Sequence, residues 1–245
     1  MSSNSVPSTS MPDGSKYLVN KAAPGKATGV QHLEDCVKRV SAFKDKPCDI
    51  IFIGDSITHL WLDQKRGSLS IWNENYAPHH ALNFGVGGDS VQNVLWRLDN
   101  LDIKGLRPKV GILMIGTNNR KNTPEEIAEG IKAVIAKTRE TFPGIKIILM
   151  SILPSRRASA TSEEDAIAIN NRMMAANTII QGYADNQSVY WLDLVPLMPP
   201  ITTSKPDGTL DTNYTGLGED HLHPNGMGFH IWADAMAPLL TKLLN

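Results

Sequence analysis

"IFIGDSITHL", residues 51–60, decides how the rest of the chain is read. An apolar run over 50–53 stops at Gly54, an acid and a serine follow at Asp55 and Ser56, and a stretch of helical character begins. A short apolar run closed by a glycine reads as a strand buried on both faces, as in parallel sheets covered by helices. The Asp55-Ser56 pair at its tip then has two readings. Either side chain can cap the next helix by accepting a backbone N–H. Alternatively, strand tips of this kind are where open α/β sheets gather reactive groups.

Outward from this strand, placed at 49–53, four similar runs follow at 81–84, 110–115, 145–152 and 188–194. Helical periodicity fills the gaps. Thr123, Pro124 and Glu126 form a capping box with proline at the first helical position, where its missing N–H is tolerated. Beyond it, Ile127, Ile131, Val134, Ile135 and Thr138 share one face. Ser162 and Asp165 repeat the same cap spacing, and a last helix over 226–243 carries Phe229, Trp232, Met236, Leu239 and Leu240. Strands alternating with helices predict one doubly wound α/β domain over 26–245. No repeat of fixed period is visible. The segment 196–225 is proline-rich and irregular, and loops of that length in compact domains are functional or disordered.

The chain has 245 residues, 41% hydrophobic and 20% charged, with a formal net charge of −1. That balance gives no basic stripe for nucleic acid or an anionic membrane surface. No apolar run approaches the ~18 residues of a membrane span. The Ser-rich start, "MSSNSVPSTSMPDGS", lacks the basic and apolar regions of a signal peptide. This leaves the cytoplasm, or an exported compartment whose signal is absent from this chain. Residues 1–25 are expected to be flexible or laid along the surface. Cys36 and Cys48 form no C-x-x-C pair and no disulfide framework. They read as idle, buried thiols, with one disulfide left open for an exported protein.

Residues just past the strand ends share a crevice in such sheets. They are Gly54-Asp55-Ser56, the turn from Gly85 to Asp89, and Gly116-Thr117-Asn118-Asn119; "GEDHLHPNG", residues 218–226, precedes the last helix. Ser56 needs a base to become a nucleophile, and His223, titrating near neutrality, can be that base. Asp220, three residues earlier, can reach the Nδ1–H of His223 and stabilise the imidazolium. An attacked ester carbonyl becomes an oxyanion, for which the Ser56 N–H, the Gly88 N–H and the Asn118 side chain are donors. Taken singly, each residue has a plainer reading: Ser56 as a helix cap, Gly88 and Asn118 as turn residues. Asp220 with His221 and His223 also resembles metal-ligand spacing, but no third firm ligand stands out. Asp55 reads as a brace for its loop.

Together, "GDSIT" at 54–58, "NFGVGGDS" at 83–90, "GTNN" at 116–119 and "DHLHPN" at 220–225 resemble the four blocks of the SGNH (GDSL-type) hydrolases. The resemblance spans 49–243. Through residues 81–98 and "GTNN" it lies nearest the branch of the platelet-activating-factor acetylhydrolase catalytic subunits. It implies a three-layer α/β/α, flavodoxin-like fold on a five-stranded parallel sheet. It implies Ser56 as nucleophile, Asp220 and His223 as triad partners, and Gly88 and Asn118 as oxyanion donors, the residues the crevice argument selects. Ile57 and Asn119 stand where many members carry leucine and aspartate. The G-x-S-x-G elbow of the α/β-hydrolases is absent.

The expected function is a serine carboxylic-ester hydrolase acting through an acyl-enzyme, with no metal or organic cofactor. No long apolar lid is evident, so short acyl groups, acetyl above all, are expected. Bacterial relatives of this branch point to acetylated glycans such as xylan as the leaving side. A phospholipid-type acetyl ester is the alternative, and transfer of the acyl group to another hydroxyl stays open. A non-catalytic relative would lack Ser56, Asp220 or His223. The related subunits imply a homodimer, but no apolar stripe in the sequence marks its interface.

Overall fold

The computed structural model describes residues 27–156, 160–204 and 210–245. The expected N-terminal segment, 1–25, lies outside the described residues. Five parallel strands form the main sheet: β1 (Ile50–Gly54), β2 (Ala81–Asn83), β3 (Val110–Met114), β4 (Lys146–Met150) and β5 (Val189–Leu192), in the order β2-β1-β3-β4-β5. This is the flavodoxin-like order, whose ligand crevice opens where the strand order reverses, at β1 and β3. β1 and β3 are in full register, from Ile50 beside Val110 to Gly54 beside Met114.

Alternation along β1 divides the core in two. Ile51 and Ile53 face one side, with Leu33, Cys36 and Val40 of α1 (Ala27–Ala42), Val94 and Leu98 of α4 (Val91–Asn100), Ile131 and Val134 of α5 (Pro124–Thr141) and Met173 of α6 (Glu163–Ile180). Ile50 and Phe52 face the other, with Trp61, then Ile71 and Trp72 of α3 (Ser68–Asn75), and Phe229, Trp232 and Met236 of α7 (Gly226–Leu244). Every residue of β1 and β3 is buried, which is why both read as unbroken apolar runs. The α5 cap is the expected one: Glu126 N donates to Thr123 Oγ1 at 3.2 Å and Thr123 N to Glu126 Oε2 at 3.0 Å. Ser162 likewise accepts from Asp165 N at the start of α6.

One expectation is corrected. The segment 196–225 is not irregular throughout, because β6 (Pro200–Ser204) and β7 (Leu210–Tyr214) pair as an antiparallel hairpin. Thr202, Thr203 and Thr212 suit a strand, and Pro200 sits at the first position, where no ladder N–H is lost. Every residue of β6 is exposed, so no alternation of burial marks it in the sequence.

Candidate active site

The tip of β1 gives its two polar residues different partners. Asp55 caps the short helix α2 (Ser56–His59): its Oδ1 accepts from Ile57 N at 2.9 Å. Ser56, relieved of capping, turns its Oγ to His223 Nε2 at 2.8 Å. Gly54 is required just below. A Cβ there would stand 2.3 Å from the carbonyl oxygen of Met114 and 2.1 Å from Thr58 Oγ1.

His223 lies before α7, in a turn organised by Asp220. Asp220 Oδ1 accepts from Leu222 N at 3.1 Å and His223 N at 2.9 Å, and Oδ2 meets His223 Nδ1 at 2.6 Å. A carboxylate only accepts, so the proton of a neutral His223 sits on Nδ1 and Nε2 is left to accept from Ser56. Partial burial alone would raise the Asp220 carboxyl. The bonds from His223 and Leu222 outweigh it and hold the carboxyl below its usual range. The acid, imidazole and hydroxyl therefore form one hydrogen-bonded chain.

The loops after β2 and β3 close the crevice. Asp89 N donates to Val86 O at 3.2 Å, closing a tight turn in which exposed Gly88 has φ +86°, the left-handed region that glycine enters without steric penalty. Asn118 Nδ2 donates to Asp89 O at 2.8 Å. An amide nitrogen has two hydrogens, and this bond fixes the direction of the other. Asn119 is buried: its Oδ1 accepts from Val91 N at 3.0 Å and its Nδ2 donates to Gln92 Oε1 at 3.0 Å. It ties the β3 loop to α4 and leaves Asn118 to face outward.

The GDSL-like Lipase/Acylhydrolase family model matches residues 52–231, a span holding Ser56, Gly88, Asn118, Asp220 and His223. Platelet-activating factor acetylhydrolase IB subunit alpha1 of Bos taurus is 33% identical over 205 residues, covering 84% of this chain and 80% of the relative. The chain belongs to the GDSL-like lipase/acylhydrolase family. Among solved structures, a GDSL-like lipase from Bacteroides thetaiotaomicron aligns at TM-score 0.63 with 18% identity, covering 85% of this chain and 97% of the other. A carbohydrate esterase family 3 structure from Talaromyces cellulolyticus aligns at TM-score 0.54 with 18% identity, covering 80% and 98%. At these identities the likeness to the solved structures is one of fold.

This GDSL hydrolase carries supporting groups that sequence reasoning missed. Arg97, on α4, is buried. Its Nε donates to Asp89 Oδ2 at 2.7 Å and its Nη2 to Gly54 O at 3.1 Å, while Nη1 donates to Phe84 O. One guanidinium thus joins the end of β1 to the loop after β2. Burial pushes the Asp89 carboxyl up, and Arg97 draws it back. Arg66 donates from Nη1 to Pro224 O at 3.0 Å, and its Nη2 lies 4.0 Å from Asp220 Oδ2, bracing the His223 turn. Nothing local distinguishes either arginine from a surface residue.

The two neighbouring histidines point apart. His221 Nε2 faces Asp211 Oδ2 on β7 at 3.4 Å, while His223 faces Ser56, so the pair does not converge on one ion. Among the described residues no group of three or more His, Cys, Asp or Glu is placed to hold a metal. His59 packs edge-on against His32 with ring centroids 4.7 Å apart. Burial, helped by the charges of Arg39 and His32, pushes His59 down to about 4. Cys36 and Cys48 are free and buried, and burial pushes the Cys48 thiol up to about 12. Among the described residues no helix is long and apolar enough to cross a membrane.

Proposed function

We propose that the protein is a serine esterase that removes short acyl groups, acetyl above all, from decorated carbohydrate. The observation that carries the serine chemistry is the hydrogen-bonded chain from Ser56 Oγ through His223, at 2.8 Å, to Asp220, at 2.6 Å. The first bond lies within reach for proton transfer, and the second orients the imidazole. His223 Nε2 takes the Ser56 proton as Oγ attacks the ester carbonyl, and Asp220 stabilises the imidazolium. The oxyanion is held by N–H groups of Gly88, Asn118 and Ser56. Collapse of the intermediate passes the His223 proton to the leaving alkoxide. A water, activated by the same imidazole, then hydrolyses the acyl-enzyme.

The carbohydrate reading is supported by the hairpin beside the triad. Asp211 of β7 reaches His221, Asn213 Nδ2 donates to Gly218 O at 3.0 Å, and Thr202, Thr203 and Ser204 are exposed on β6. The exposed hydroxyls of β6 suit a polyol, although Ile201 is exposed beside them. A second reading, a phospholipid-type acetyl ester, is supported by the named activity of the Bos taurus relative.

The test is hydrolysis of p-nitrophenyl esters from acetyl to octanoyl, beside acetylated xylan and an acetyl-glycerophospholipid, with wild type and Ser56→Ala. Acetyl is expected to be cleaved fastest, acetate to be released from xylan, and Ser56→Ala to lose ~10³-fold or more. Preference for the phospholipid would favour the second reading. Wild-type rates in Ser56→Ala would remove the nucleophile assignment.

A further inference from the structure

The carbonyls of Asn83, Gly85 and Gly87 all turn toward α1. Arg39 donates from Nε to Asn83 O and from Nη2 to Gly85 O, each at 2.7 Å. His32 Nδ1 lies 3.4 Å from Gly87 O. Two helical turns separate His32 from Arg39, so both project from one face. A trans peptide directs its C=O and the following N–H in opposite senses. The N–H groups of Phe84, Val86 and Gly88 therefore face away from α1. Phe84 N donates to Phe52 O at 2.8 Å and Val86 N to Gly54 O at 3.3 Å. The Gly88 N–H continues this row past Gly54, where β1 has ended and Ser56 opens α2.

The Gly87–Gly88 peptide is the one able to turn over. It is the central peptide of the Val86–Asp89 turn, and φ +86° at Gly88 makes that turn type II. Type I keeps the same ends with the central peptide rotated by about 180°. Glycine at both central positions accepts either form. In the rotated form Gly87 O, rather than the Gly88 N–H, would face the site. His32 opposes that rotation. Its ring packs directly on the turn, since a Cβ on Gly87 would stand 2.1 Å from His32 Nδ1. The ring is itself braced edge-on by His59 of α2, 4.7 Å away.

We propose that His32 is a positioning residue for the oxyanion hole: it holds the Gly87–Gly88 peptide with the Gly88 N–H directed at the substrate oxyanion. The bond needs the His32 proton on Nδ1. This rests on the reading of Gly88 as an oxyanion donor, and it places a determinant of turnover on α1, outside the loops that carry the triad.

The experiment uses the full chain as wild type, His32→Phe, His32→Ala and His32→Asn, the last keeping an N–H near the place of Nδ1. Steady-state kinetics with p-nitrophenyl acetate are joined to ¹⁵N–¹H spectra of [¹⁵N]glycine-labelled protein before and after phosphonylation of Ser56. His32→Phe and His32→Ala should lose between about 5-fold, for one neutral hydrogen bond, and about 10²-fold, for one donor, in kcat. KM should stay within about twofold, and His32→Asn should recover most of the loss. The Gly88 amide resonance should move on phosphonylation in wild type and move less in His32→Phe. Unchanged kcat in both His32→Phe and His32→Ala would overturn the proposal, as would a fall in kcat with a full wild-type shift at Gly88. Wild-type activity in Ser56→Ala, or a Gly88 resonance that never moves in wild type, would instead overturn the site reading beneath it.

Discussion

Adjacent residues at the tip of β1 divide two tasks that either could perform. Asp55 takes the helix cap, and Ser56 keeps its hydroxyl for His223. His59, one turn on, shows how burial at this point reaches into stability. Its imidazole titrates near 4 in the folded protein against an ordinary 6.5. Between those values the unfolded chain binds more protons, so stability rises with pH across the window and is lost as pH falls through it. Discounted for the ring's partial exposure, the loss is about 1–2 kcal/mol. Urea denaturation at pH 7 and pH 4.5 should show a smaller drop for His59→Gln than for wild type; equal drops would place the sensitivity elsewhere.

At the scale of elements, the close approach of β1 to β3 sets the geometry of the site. Gly54→Ala would press a methyl into Met114 O, a backbone atom that cannot swing aside. Overpacking of this kind typically costs 1–3 kcal/mol, and the strand end that presents Ser56 would shift with it. The expected outcome is a lower midpoint in thermal unfolding together with reduced esterase turnover; an unaltered midpoint would mean that the strand ends relax without strain. The elements themselves were legible to different degrees. The five strands and the α5 and α6 caps follow from apolar runs and cap spacing. The β6–β7 hairpin did not, because its exposed face leaves no alternation and its pairing rests on backbone bonds.

For the whole molecule, the buried pair of Asp89 and Arg97 is the joint between the end of β1, the loop after β2 and α4. Asp89→Asn would leave the guanidinium buried without its counter-charge, a change that typically costs 3–5 kcal/mol. Chemical denaturation should register that loss. A loss below about 1 kcal/mol would show that Arg97 is held by the Phe84 and Gly54 carbonyls alone.

The sequence by itself pointed to the parallel sheet and to Ser56, Gly88, Asn118, Asp220 and His223 as one candidate site, of which Ser56, His223 and Asp220 are joined directly by hydrogen bonds. Burial on both faces writes a strand as an apolar run, and the loops that follow neighbouring parallel strands open on one edge of the sheet. The Asp220–His223 contact is local, three residues apart in one turn. Tertiary structure alone decided what holds that crevice in shape. Arg97 sits 43 residues from Gly54, Arg66 158 residues from Pro224, and His32 55 residues from Gly87. Polar contacts at such separations leave no period and no spacing in the chain, because they depend on which helix face packs on which loop.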